Sequence, residues 1–243
     1  MLRRVSVLAL ATIAGCASAT VNEGDDDNVD AARIDAPPGD VDAPPPPIDA
    51  PPLPIDAPPV QTITLAQGPT TITADNSLAC TQTATGYTSE NSYYRAFRLA
   101  DHGVTSAFTA TRVDFGVENA VSGAGGSQSV QVKLYTVSGA FPAGVLTQIA
   151  GQIVTVNNTT TGVTIPVTMS PPGVAAAGST LVAEVYVPDG RPVGNTFFIG
   201  SNTAAETGPS YIRAPDCSAT NPVTFASTGN PGVHIVLTVT GTY

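Results

Sequence analysis

The chain has no tryptophan, two histidines, three cysteines and only nine lysines and arginines in 243 residues. Each shortage excludes something. So few basic residues, not gathered into a patch, cannot neutralise a run of phosphates, and nucleic acid is ruled out as a partner. His102 and His234 are isolated, so no histidine-rich metal site exists, and a Ser-His-Asp triad would have to use one of the two. A Gly-x-Ser-x-Gly elbow, a His-Glu-x-x-His pair and a phosphate-binding glycine loop are all missing. The leading apolar run, residues 5–15, is eleven residues long and too short to span a bilayer. With no catalytic motif, the chain reads as a non-enzyme.

What is plentiful is Gly (23) and Pro (22), together with Thr, Val and Ser, while charged residues make up 12%. This favours strands and turns over helices. The formal net charge is −10, but ten of the 19 acids lie in residues 21–59 beside one base, Arg33. The acidity belongs to that segment and not to the remainder.

Met1-Leu2-Arg3-Arg4 is a positive n-region, and residues 5–15 fit the apolar core of an export signal. The end of this run and the residue after it, Ile13-Ala14-Gly15-Cys16, resemble the lipobox of bacterial lipoproteins: an aliphatic residue, two small ones, then cysteine. The resemblance implies a signal peptide over 1–15, cleavage before Cys16, and lipidation of Cys16 as a membrane anchor. Several acyl chains hold firmly where one would be marginal. Ser18 follows closely and no Asp comes directly after the cysteine, which by the same analogy implies the outer membrane and cell surface. Ala17-Ser18-Ala19 is also an ordinary A-x-A cleavage site. Cutting there would discard Cys16 and give a soluble secreted protein.

Residues 16–59 read as a disordered, acidic, proline-rich linker. Ile34, Val41, Ile48 and Ile55 each begin a copy of aliphatic-Asp-Ala-Pro-Pro, seven residues apart. The prolines forbid a coiled coil, since each costs about 3 kcal/mol inside a helix. Extended polyproline II is the physical solution, and the spaced aspartates stretch it further. Such repeats after a lipobox resemble surface lipoproteins of predatory, multicellular Gram-negative bacteria. Asp25-Asp26-Asp27 lacks the alternating spacing of a calcium loop and reads as solvated charge.

Residues 60–243 change to period two. Val113, Phe115 and Val117 share one strand face with Asp114 and Glu118 on the opposite, solvent side. Val130, Val132 and Leu134 repeat the pattern, as do Leu181, Ala183, Val185 and Val187, and again Val233, Ile235, Leu237 and Val239. Further strands are predicted at 61–65, 70–74, 93–99, 148–156, 162–168 and 195–201. Turn signals separate them, among them Phe141-Pro142-Ala143-Gly144, Asn157-Asn158, Pro171-Pro172-Gly173 and Pro188-Asp189-Gly190. About ten strands without a helix predict an all-β antiparallel sandwich, with jelly-roll-like connections. Cys80 and Cys217 are expected to form a disulfide in the oxidising compartment that export implies.

The stretches 91–97, 113–118, 197–202 and 209–217 resemble an accessory β-sandwich module of large secreted bacterial proteins. That resemblance implies fold and secretion and carries no activity.

The candidate ligand-binding patch is Tyr211, Arg213 and Asp216, read as a loop stiffened by Cys217, with Tyr93, Tyr94 and Tyr186 as a stacking face for sugar rings. The bland reading has Arg213 pairing with Asp216. Asp114, Glu118, Glu184, Asp189 and Glu206 are the carboxylates available to a two-acid glycan hydrolase; Glu184 is equally expected to pair with Lys133 across strands. No cofactor is called for beyond a structural calcium ion that loop acids would accommodate. Three functions follow: a tethered binding or adhesion module for glycans or an envelope protein, a tethered carboxylate hydrolase, or a structural envelope component.

Overall fold

The computed structural model describes residues 2–3, 59–123 and 125–243 of the chain, and the predicted linker and Cys16 lie outside them. The β1 strand (Leu2–Arg3) pairs with β3 (Ala79–Cys80). A chain cut before Cys16 would lack β1.

The domain is an all-β sandwich of antiparallel sheets, as the alternation predicts. The larger sheet has six strands in the order β13 (Ala219–Thr224), β12 (Tyr211–Ala214), β4 (Asn91–Arg98), β9 (Thr180–Val187), β6 (Ser127–Ser138) and β7 (Val145–Asn157). The facing sheet is built on β5 (Phe108–Val121). One edge of β5 pairs with β8 (Thr160–Ala175). Its other edge pairs with β15 (Leu237–Thr242) over its first half and β10 (Thr196–Ile199) over its second, and β2 (Thr62–Leu65) flanks β15. A two-residue pair, β11 (Ser201–Asn202) with β14 (His234–Ile235), completes the described strands.

Alternation fixes which face each strand buries. Val113, Phe115 and Val117 of β5 and Leu237 and Val239 of β15 meet Tyr93 and Phe97 of β4 and Leu181, Ala183 and Val185 of β9; all are buried in one core. Full burial of such side chains contributes about 1.5–3 kcal/mol each. The Cys80–Cys217 disulfide is present and closes a separation of 137 residues, tying β3 to the turn after β12.

Four expectations are corrected. Residues 70–74 form no strand; their segment lies across the outer face of the β5 sheet, where Ile72 packs on Gly116 and Gly200. That cover buries Glu118, and Asp114 is buried beside Arg112, so neither faces solvent as strand alternation alone suggests. Pro171-Pro172-Gly173 is not a turn but part of β8. Pairing with β5 jumps from Thr168 to Gly173 across a register shift, so the prolines sit where no ladder donor is needed. Finally, residues 211–214 are a sheet strand and not a loop, because both edges of β12 find partners in β4 and β13.

At Gly116 and Gly200 two backbones touch. Gly200 N–H donates to Gly116 O at 2.8 Å, and a Cβ built at Gly200 would lie 2.8 Å from the Gly116 backbone. Only glycine permits this approach.

Candidate functional site

The outer face of the six-stranded sheet carries the concentration of aromatic and polar groups. Register builds it in rows. One row runs Arg213, Ser92, Tyr186, Gln131, Ile153 across β12, β4, β9, β6 and β7. The next runs Tyr211, Tyr94, Glu184, Lys133, Gly151, and a third runs Ala96, Val182, Tyr135, Gln148. A bulge between Leu134 and Tyr135 sets Gln148 opposite Tyr135.

Glu184 is the hub. It is 4% exposed, yet Tyr94 Oη donates to its Oε1 at 2.9 Å and Tyr135 Oη to its Oε2 at 2.6 Å. Lys133 Nζ stands 3.7 Å from Oε2, the expected Lys133–Glu184 pair, and 4.4 Å from the centre of the Tyr186 ring in a cation–π contact. Tyr186 Oη donates to Glu90 Oε2 at 3.2 Å, and Arg213 Nη1 meets Glu90 Oε1 at 2.5 Å. Burial first, and then Glu184, raises both Tyr94 and Tyr135 above the ordinary tyrosine range, so both remain O–H donors.

Beside this network lies a depression of about 410 Å³ lined by Gln131, Lys133, Gln148, Gly151, Gln152 and Ile153. Gly151 keeps it open, since a Cβ there would meet Gln148 Nε2 at 2.9 Å. The side-chain amides of Gln131 and Gln148 offer donors and acceptors beside the charged Lys133 ammonium, while Ile153 is 74% exposed beside them. Such a surface suits hydroxyl-rich ligands.

The predicted patch does not converge. Tyr211 is buried under Phe141 from the β6–β7 turn, with ring centres 4.8 Å apart. Arg213 pairs with Glu90 and not with Asp216, while Asp216, in the turn at Pro215–Cys217, pairs with Arg191 at 2.7 Å. Tyr93 points into the core, leaving Tyr94 and Tyr186 on the outer face. Gln131 and Gln148 were not legible as site residues; Gln152, opposite the inward Val132, donates instead to Ser170 O at 2.6 Å. Glutamine on a strand gives no signal until register brings the residues together.

Three of the other candidate acids are held in ion pairs. Asp114 pairs with Arg112, and Asp189 accepts from Arg191 at 2.7 Å. Glu206 pairs at 2.7 Å with Arg95, an inward arginine only 2% exposed, set between Tyr93 and Phe97 in the core register. Arg95 also donates to the carbonyls of Ile235 and Gly208, each at 2.7 Å, holding the 206–210 loop to the core. Ser210, Glu206 and His234 gather there, but Ser210 is bonded to Glu206 and Ile235, and the His234 ring faces the carbonyls of Ala204 and Pro231. Ser210 Oγ thus donates to Glu206, whose Oε1 lies 3.8 Å from His234 Nε2, and the described residues show no Ser210–His234 hydrogen bond.

Comparison with known proteins finds no matching family model, no similar curated protein and no similar solved structure.

Proposed function

We propose that this chain is a lipid-anchored, non-catalytic binding module of the bacterial cell surface. Acylated Cys16 holds it on the outer membrane, residues 16–59 act as an extended spacer, and the sandwich presents its six-stranded outer face to a glycan or a glycosylated envelope partner. The observation that carries the binding reading is the depression lined by the amides of Gln131 and Gln148 next to Lys133 and Tyr186. The lipobox resemblance and the length of the leading apolar run support the anchor.

Glycan-array binding by the purified protein tests the face. Binding should be present in wild type and fall at least ten-fold in Gln131→Ala and Tyr186→Ala, with circular dichroism unchanged. Absence of binding on glycan arrays and in surface pull-downs would overturn it and leave a structural envelope component. The anchor is tested by intact-mass analysis of the mature N-terminus. Lipid on Cys16 is expected, while a chain beginning at Thr20 would replace the anchor with secretion.

A further inference from the structure

On the opposite side of the sandwich, Glu118 stands apart from the other buried acids. Asp114 pairs with Arg112 and Glu184 with Lys133, whereas Glu118 has no ion-pair partner among the described residues. It is 7% exposed, and its Oε2 has no hydrogen-bond partner. A buried carboxylate oxygen left this way is costly unless something occupies the space before it. Backbone N–H groups of Asp75, Asn76 and Ser77 lean toward the carboxylate and offset part of that cost, but burial and the nearby charge of Asp75 still raise its pKa.

Glu118 lines a cavity of about 100 Å³ together with Asp75, Asn119 and Thr161, walled on its apolar side by Ile72 and Ala74. Asp75 reaches it from a left-handed backbone (φ 60°). Thr161 Oγ1 donates to Glu118 O at 2.8 Å, which leaves its lone pairs free to accept. The volume is far below the roughly 300 Å³ of a small-organic-ligand pocket. It exceeds the roughly 30 Å³ of one water, so an ion with attendant waters fits.

We propose that Glu118 and Asp75 bind a hard divalent cation, calcium, in this cavity, with Asn119, Thr161 and water as further oxygen ligands. The four polar lining side chains each offer an oxygen and none offers sulfur or imidazole nitrogen, which suits calcium and disfavours zinc. No cluster of three or more His, Cys, Asp or Glu side chains occurs among the described residues, so the site has two carboxylates at most. Low ligand charge places affinity in the range of extracellular modules, a Kd of about 0.1–1 mM.

The test is calorimetric titration of the full-length, EDTA-treated protein with calcium chloride, alongside thermal unfolding. Saturable binding and a rise in Tm are expected in wild type. Glu118→Gln and Asp75→Asn should each weaken binding at least ten-fold; the half-buried Asp75 supplies the test if the Glu118 variant does not fold. Absence of heat and Tm change at about 10 mM calcium, ten times the upper Kd, would overturn the site. So would undiminished binding in the variants, which would assign the ion to the acidic linker.

Discussion

Removing the carboxylate of Glu184 is the sharpest perturbation of the sheet face. Glu184→Ala leaves the hydroxyls of Tyr94 and Tyr135 without their acceptor and Lys133 without its counter-charge. A hydrogen bond to a charged group contributes about 1.5–3 kcal/mol, and two are lost. The carboxylate's own desolvation is regained, so the expected net loss is about 3–5 kcal/mol, the usual cost of breaking a buried pair. In a domain of 150–250 residues each kcal/mol shifts Tm by about 2–4 °C, so Tm should fall by about 6–20 °C. Urea and thermal unfolding read the loss directly. A second measurement separates this network from general damage. Phenolate absorbance of Tyr94 and Tyr135 appears only above the ordinary tyrosine range, chiefly from burial and then from Glu184. In Glu184→Gln the carboxylate's share disappears, and phenolate should form at lower pH. A cost below about 1 kcal/mol, or an unmoved tyrosine titration, would refute the assignment of Glu184 as the hub.

Reduction of Cys80–Cys217, or the double Ser variant, should cost up to about 5 kcal/mol by chain entropy for a 137-residue separation, measured by urea unfolding with and without reductant. Glu118 has a native pKa raised by burial; its stabilising share is therefore full below the ordinary glutamate range and lost as pH rises through the native value. In EDTA, stability should decline more in wild type than in Glu118→Gln as pH rises above the ordinary glutamate range. Gly200→Ala forces a Cβ onto the Gly116 backbone and should cost about 1–3 kcal/mol or more in thermal unfolding, whereas Gly232→Ala, with open space around it and no left-handed backbone, should cost less.

Local sequence determined whatever depends on neighbours along the chain. Period two told which residues of β5, β6, β9 and β15 face the core, because successive strand side chains alternate sides. Composition alone separated the acidic proline repeats from the domain, and two domain cysteines behind a stretch that reads as an export signal implied the bridge that is present. Tertiary structure decided whatever depends on pairing and cover. Tyr211 and Arg213 read as loop residues until β4 and β13 took up both edges of their strand. Asp114 and Glu118 occupy the outward register, yet both are buried, by Arg112 and by the 70–77 segment respectively; alternation gives a face but not what lies over it. Arg95 interrupts an apolar face because the carbonyls and carboxylate that satisfy it arrive from residues more than a hundred positions away. The depression on the sheet face is the same lesson. Gln131, Gln148 and Gly151 become one surface only through strand register and a single bulge, which non-local hydrogen bonds set.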